Sequence, residues 1–458
     1  MPARIGVLGA GGRGRDAYGR WVLEHPDAAR VVAVADIDKR RRHELRDPDG
    51  ATVAYGDWRE LVADASALAL DGIVVALPDR LHVDAAIAIA DAGIPFLLEK
   101  PAAPTLTELE RLALHMGRVS ARLAIGHVLR FTAFWRAIKT ITDSGALGAL
   151  MTIELRENIG FWHFAHSYVR GNWRNTAASS PMVLAKTSHD LDLIRWIAGA
   201  APETIYSVGS LRYFRPENAP PGAPAFCLDG CPAAADCPFF APRYYVDALA
   251  GVDGHPVSLL GPDTSVEGRL AALRTGDYGR CVFRSDNDVL DHQQTTMEFP
   301  SGLVANLTAS AFTGENTRTV GITGTGGQLV GHMSSGELVV DLFSPTATLP
   351  ELEVTSHEVR SRPPLGHATH SLSVSVAGSD DDDHAGHAGG DDGLMASFVA
   401  ALGAGTVGSG ELSFATALDS HLMAFAAEQS RLTREPIDFG DWVSAHGPAP
   451  SKAVAGAG

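Results

Sequence analysis

The sequence predicts an α/β chain in two parts: an N-terminal doubly wound parallel sheet, then a C-terminal α+β domain with a large, mainly antiparallel open sheet. Three observations predict it. Strand, glycine-rich turn, helix, second strand and acid follow one another within the first forty residues. Strands then alternate with helices to about residue 125, the order of a parallel sheet covered on both faces. From about residue 150 the apolar period shortens to two, as half-exposed antiparallel strands require.

Ile5-Gly6-Val7-Leu8 is the short apolar run of a buried parallel strand, and a helix is expected from about Asp16 to Glu24. Val31 to Ala35 is a second, β-branched run. A helical pattern starts at Tyr55 and reaches Val62, and Gly72 to Leu77 is a third buried strand. Ala86, Ile87 and Ala90 place an apolar stripe on the helix Val83 to Ala92. Ile94 to Leu98 is a further strand and delivers Glu99-Lys100-Pro101. Thr105 and Glu108 form a capping box for the helix that runs to about Met116, and Leu123 to His127 is the last strand of this part. The first domain is therefore read as residues 1–125. In the second, residues 126–445, alternating strands are expected at Met151 to Arg156, Thr295 to Phe299, Leu303 to Ser310, Thr319 to Thr323, Gln328 to His332 and Glu337 to Leu342. A proline-rich insertion with little periodicity occupies about 214–276, and Asp380 to Asp383 with His384 and His387 make a short charged loop. Helices close the chain at Gly393 to Leu402 and Leu412 to Leu432, and 446–458 is read as a disordered tail.

Gly9-Ala10-Gly11-Gly12-Arg13-Gly14 sits in the first strand–helix turn. In a dinucleotide-binding turn the first glycine permits the bend, the second lets a pyrophosphate approach, and the third lets helix and strand pack closely. The helix N-terminus favours the anion. Asp36 lies 22 residues after Gly14, where a carboxylate accepts from both ribose hydroxyls. That acid favours NAD by repelling the 2′-phosphate of NADP, while Lys39, Arg40, Arg41 and Arg42 could accommodate that phosphate.

Composition narrows the field. A net charge of −17 argues against nucleic acid, which needs clustered Lys and Arg. No run of about 18 apolar residues offers a membrane span, and the N-terminal apolar run is short and glycine-broken, unlike a secretory leader. The expected location is cytoplasmic.

Four groups of residues could carry chemistry. Lys100 ends a buried strand at the carboxyl edge of the sheet, where it could polarise a substrate hydroxyl; it could equally be a surface lysine of a loop. His189 opens a helix with Asp190 and Asp192 within one turn, placed for general base work or merely for capping. The segment from Trp162 to Asn175, with Arg170, Trp173 and Arg174, suits stacking on sugar faces and suits a partly buried loop equally well. Cys227-x3-Cys231-x5-Cys237 with Cys281 could staple the insertion through a structural Zn²⁺, although the spacing is not a standard zinc pattern; free or redox thiols are the alternative.

Together these motifs resemble the Gfo/Idh/MocA oxidoreductase family. The glycine turn, Pro78 with His82, Glu99-Lys100-Pro101, Gly126-His127 with Arg130-Phe131, Gly148 and His189-Asp190-Leu191-Asp192 carry the resemblance, over about residues 4 to 440. It implies an N-terminal Rossmann domain, NAD(P)-dependent oxidation or reduction of sugars, inositols or related polyols, and homodimers or homotetramers built through the open sheet. It places the cofactor on Gly9 to Gly14, Asp36, Pro78, His82, Glu99 and Lys100. Lys100 and His189 become the catalytic pair. Inositol-dehydrogenase-like members have an Asp four residues before that histidine; here the position is Ala185, and Lys186 beside it is the candidate substitute. His127, Arg170, Trp173, Arg174, Asp192 and His292 are the expected substrate contacts, with His387 and Asp391 further candidates.

Three functions follow as expectations: a dehydrogenase moving a hydride between nicotinamide and a secondary hydroxyl of a sugar, polyol or glycoside; a redox glycoside hydrolase working by transient C3 oxidation and elimination; and a non-catalytic NAD-sensing regulator.

Overall fold

The computed structural model describes residues 1–46, 51–362, 365–376 and 387–447, and every count below refers to these. Asp380 to His384 of the expected charged loop, and 448–458 of the expected tail, lie outside them. No helix among the described residues is long and apolar enough to cross a membrane.

Six parallel strands form the first sheet: β1 (Ala3–Leu8), β2 (Ala29–Ala35), β3 (Val53–Tyr55), β4 (Gly72–Val75), β5 (Phe96–Leu98) and β6 (Leu123–Ile125), in the order β3-β2-β1-β4-β5-β6. Ile5, Val7, Leu8, Val34, Ile73, Val74 and Leu97 are wholly buried, because helices cover both faces. The strand order reverses between β1 and β4, so the crevice at their carboxyl ends is the expected ligand site. Two local readings are corrected. Tyr55 ends a strand rather than starting a helix; β3 has three residues, too few to show a period, and the helix Trp58–Asp64 begins only where the Asp57 side chain accepts from Arg59 N–H at 2.9 Å. The segment after the glycine turn is wound as a π-helix over Gly12–Gly19 before the short α-helix Arg20–Glu24.

The second sheet has ten strands: β7 (Leu150–Gly160), β8 (Thr204–Ser210), β9 (His292–Glu298), β10 (Val304–Thr313), β11 (Thr317–Gly324), β12 (Gly327–His332), β13 (Glu337–Leu342), β14 (Ser356–Arg362), β15 (His367–Ser373) and β16 (Ile437–Asp438). Their order is β14-β15-β13-β12-β11-β7-β10-β9-β8-β16, antiparallel except for β7 beside β10. On β7, Ile153, Leu155 and Glu157 are buried while Glu154 and Arg156 are exposed, so one face is covered. The helices Ser188–Ala198 and Phe414–Thr433 pack on that side.

The domains are less separate than their sequence boundary suggests. The helix Gly390–Ala404 returns to the first sheet, where the side chains of Leu402 and Phe398 crowd Gly72. A single apolar core runs through both parts. The insertion, expected to be largely irregular, contains the helix Val266–Thr275, capped by the Ser265 side chain, and its own apolar cluster around Tyr245, Leu249 and Leu273.

Candidate active site at the junction of the two sheets

The turn after β1 is shaped by its glycines. Gly9 has φ +87°, and a Cβ there would lie 2.4 Å from the Ala76 carbonyl oxygen. At Gly14 a Cβ would lie 1.8 Å from the Gly9 carbonyl oxygen, so helix and strand touch through backbone. Gly11 and Gly12 instead face open space, with nothing nearer than side-chain ends at 3.9 and 4.0 Å from where a Cβ would stand. That open edge fits a pyrophosphate. Asp36 is held beside it by Ala10 N–H (2.7 Å) and Asp38 N–H (2.8 Å), which leaves carboxylate lone pairs for ribose hydroxyls. The residues therefore fit a dinucleotide.

Other expected cofactor contacts are occupied within the protein. Arg13 forks onto Asp391 (2.6 and 2.8 Å) and also reaches Glu99 (2.6 Å) and the Tyr18 hydroxyl (2.8 Å). Burial would raise the Glu99 carboxyl, but Arg13 and the Tyr18 hydrogen bond hold it below its ordinary value. His82 joins the Leu77 and Pro101 carbonyls at 2.8 and 2.7 Å and so pins the loop that follows β4, where Pro78 lies, to the lysine loop. Arg13, Glu99 and His82 thus tie together the loops that follow β1, β5 and β4.

Lys100 stands at the end of β5, at the junction. Its ammonium donates to the Ala185 carbonyl at 2.8 Å, so the backbone of the position that lacks the expected aspartate becomes the lysine's tether. Burial lowers Lys100 to about 8, with Glu99 pulling up and Lys186 pushing down. His189 lies in the same junction, 3% exposed, and neither ring nitrogen has a hydrogen-bond partner among the described residues. Burial first, then Lys100, depresses its pKa well below the usual histidine range, so the ring is neutral near pH 7. The rings of His387 and His127 flank it, with centroids at 5.4 and 5.8 Å.

Lys186 turns to a buried network. It pairs with Glu157 at 3.0 Å; Arg318 bridges Glu157 (2.5 Å) and Asp190 (2.8 Å). Burial pushes Asp190 up to about 6 against the pull of Arg318, while Arg318 and Lys186 outweigh burial and hold Glu157 low. Glu157 and Arg318 escaped the sequence reading because β7 and β11 deliver them from far along the chain; a charged residue on the apolar phase of a strand was the one signal available.

The expected substrate contacts divide. His127 is buried beside His189, 3.2 Å from the Ser420 hydroxyl. Asp192 is committed to Arg130 through two bonds of 2.5 and 2.6 Å, so it is an internal ion pair. Arg170 is buried and donates to the Arg280 and Phe239 carbonyls at 2.8 and 2.7 Å, which ties the insertion down. Arg174 is held by Asp286 (2.7 Å) and Asp277 (3.2 Å). Trp173 is partly exposed beside Tyr168. His292 pairs with Asp291 at 2.7 Å and lies on the uncovered face of the second sheet, away from the junction.

All four cysteines line one cavity of about 10 Å³, together with Phe226, Phe239 and Phe283, and all are free thiols. They gather as their spacing suggested, yet no group of three or more His, Cys, Asp or Glu among the described residues is arranged to hold a metal ion. Burial raises the Cys237 and Cys281 thiols.

Comparison with known proteins agrees with this architecture. Residues 3–127 match the description "Oxidoreductase family, NAD-binding Rossmann fold", and residues 139–344 match "Oxidoreductase family, C-terminal alpha/beta domain". An inositol 2-dehydrogenase of Saccharopolyspora erythraea is 32% identical over 199 residues, 43% of this chain and 55% of that protein. One from Streptomyces avermitilis is 31% identical over 228 residues, 49% of this chain and 61% of that protein. The match thus spans little more than half the length of these relatives. Among solved structures, a levoglucosan dehydrogenase in complex with NADH and levoglucosan superposes with TM-score 0.66 at 16% identity, covering 96% of this chain and 100% of that one. An Agrobacterium radiobacter oxidoreductase in complex with NAD+, L-tartaric acid and magnesium gives 0.61 at 16% identity, covering 96% of this chain and 100% of that one. At that identity the likeness concerns the fold alone. With both halves matched in order, the chain belongs to the Gfo/Idh/MocA oxidoreductase family.

Proposed function

We propose that the protein is an NAD-dependent dehydrogenase that moves a hydride between the nicotinamide and a secondary hydroxyl of a sugar or polyol. The observation that carries this reading is His189, a buried imidazole with no partner on either nitrogen, beside Lys100 at the carboxyl edge of the Rossmann sheet. A buried polar group left unmet costs about 1–3 kcal/mol, which a substrate hydroxyl would recover. The relatives named inositol 2-dehydrogenase and the neighbour solved with levoglucosan support a polyhydroxylated substrate.

When bound, NAD supplies the hydride acceptor. The Lys100 ammonium, aimed by Ala185, donates to the reacting oxygen and steadies its growing negative charge. Neutral His189 accepts the hydroxyl proton. Asp36 beside the glycine turn supports NAD over NADP, whereas Arg41, with Nη1 3.9 Å from where a Gly11 Cβ would stand, is the group that would receive a 2′-phosphate. We read the uncovered face of the second sheet, with Tyr206, Val208, Val330 and Val339 exposed, as an interface between copies of the chain. The functional test is absorbance at 340 nm with NAD, then NADP, across inositols, sugars and aryl glycosides, with aglycone release followed in parallel. NADH accumulation without aglycone is the expected result. Aglycone release without net NADH, or no turnover on any of these substrates, would overturn the reading.

A further inference from the structure

A proton taken by His189 must leave a site that barely touches solvent. Burial and Lys100 hold the His189 pKa well below its usual range, so the charge cannot rest there. Two imidazoles adjoin it. Toward His127 the path closes: that ring is 4% exposed, and its neighbour His421 accepts from Ala102 N–H at 2.9 Å while its other nitrogen bonds the Ala417 carbonyl at 2.8 Å. Toward His387 the path opens, because that side chain is 30% exposed. His387 Nδ1 lies 3.3 Å from Asp391 Oδ2, and Arg13 locks the carboxylate by a two-pronged bridge. Burial lowers the His387 pKa and Asp391 pulls it back up; the carboxylate favours the proton on Nδ1, against Arg13 Nη1 at 3.5 Å from the same nitrogen, and so favours an open Nε2 lone pair. The rings of His189 and His387 share no direct hydrogen bond, and their centroid separation of 5.4 Å is one that a single water could bridge.

We propose that His387, oriented by Asp391 and Arg13, carries the substrate's hydroxyl proton from His189 to solvent. This rests on the dehydrogenase reading. In the oxidation the carbinol C–H bond breaks and its electron pair leaves as hydride for the nicotinamide dinucleotide. The O–H bond breaks in parallel. Its proton passes to His189, then to His387 Nε2, then to water or buffer, and reduction runs the same path backwards. His387 acts through His189 and is a positioning and relay residue, not a catalytic one. The charged groups facing it are Asp391 on its own segment, Arg13 from the glycine turn, Lys100 from the β5 loop and His189 from the Ser188–Ala198 helix.

The test compares wild type, His387→Gln and His387→Ala in weak buffer, following NADH at 340 nm and released protons with a pH indicator. Wild type should turn over at a rate independent of buffer concentration. His387→Gln should lose about 10- to 100-fold in kcat with KM within about twofold, and its rate should rise with buffer concentration. Added imidazole should restore His387→Ala. Unchanged kcat in His387→Gln, or a loss that neither buffer nor imidazole repairs, overturns the relay while leaving the dehydrogenase reading intact. A wild type with no turnover on any polyol overturns both. A readout apart from turnover is the ¹⁵N spectrum of the histidines: the Nδ1–H form of His387 is expected in wild type, and the opposite tautomer overturns the relay.

Discussion

The junction around Lys100 and the insertion with Arg170 packed against it both hold residues that chemistry could use, but they differ in what their polar atoms do. In and against the insertion the buried guanidiniums are spent. Arg170 serves two carbonyls, and Arg269 serves those of Thr264, Tyr245, Leu249 and Val252 at 2.5 to 2.9 Å. At the junction His189 is buried with both nitrogens unmet. A saturated buried cation is architecture, because its hydrogen bonds repay its desolvation within the fold. An unsaturated buried imidazole is a standing cost that a ligand removes. Residue type and clustering are the same signal in both places; satisfaction separates them.

The largest test of that difference is at the junction. His189→Ala and Lys100→Ala should each lower kcat about a thousandfold, roughly 4 kcal/mol of barrier, with the NAD dissociation constant and the melting temperature near wild type. A variant that keeps its turnover would erase the distinction from the junction's side. In the insertion, Arg269→Ala should do the reverse. It should cost about 3 kcal/mol of unfolding free energy by denaturant titration, because four carbonyls lose their donor, while kcat in the surviving folded fraction changes little.

The glycine turn sharpens the comparison on a smaller scale. Gly14→Ala drives a Cβ into backbone 1.8 Å away and should cost about 2 kcal/mol of stability. Gly11→Ala meets open space, so stability should hold while calorimetry records NAD affinity lower by about tenfold.

Protonation offers a finer probe. Lys100 must be charged to steady the oxygen, and its pKa is lowered to about 8, so kcat/KM for oxidation should fall as pH rises through that value. In Lys100→Arg the alkaline limb should move above pH 10, since guanidinium keeps its charge. The acid limb set by His189 should lie well below the ordinary histidine range. An alkaline limb that stays near 8 in Lys100→Arg would remove Lys100 from that role. The smallest effect belongs to His292, paired with Asp291 on the uncovered sheet face: His292→Ala should change kcat/KM by less than about twofold.

Most of the architecture was legible because it rests on local pattern. Period-two runs placed β7 and β9 through β13 to within a few residues, and the capping box at Thr105 opens a helix that runs Leu106–Val119. The strands not expected were β3, β8, β14, β15 and β16: β3 and β16 are only three and two residues long, every residue of β14 is exposed, and β8 carries apolar residues on both faces, with Ile205 buried and Tyr206 and Val208 exposed. Glycine positions, too, could be read in advance, since their demands come from backbone sterics within one turn.

Local pattern set the two-part α/β order, the glycine turn with Asp36, and the placing of Lys100 at a strand end and His189 at a helix start. Which candidates meet was settled by packing. It brought Lys100, His189, His127 and His387 together, spent Asp192 on Arg130 and Lys186 on Glu157, and turned Arg170 and Arg174 inward to hold a loop. The physical reason is that periodicity and turn chemistry act over a few residues. Whether a buried charge finds its partner depends instead on strands and helices that meet from 60 to more than 300 positions away, as Arg130 with Asp192 and Arg13 with Asp391 show.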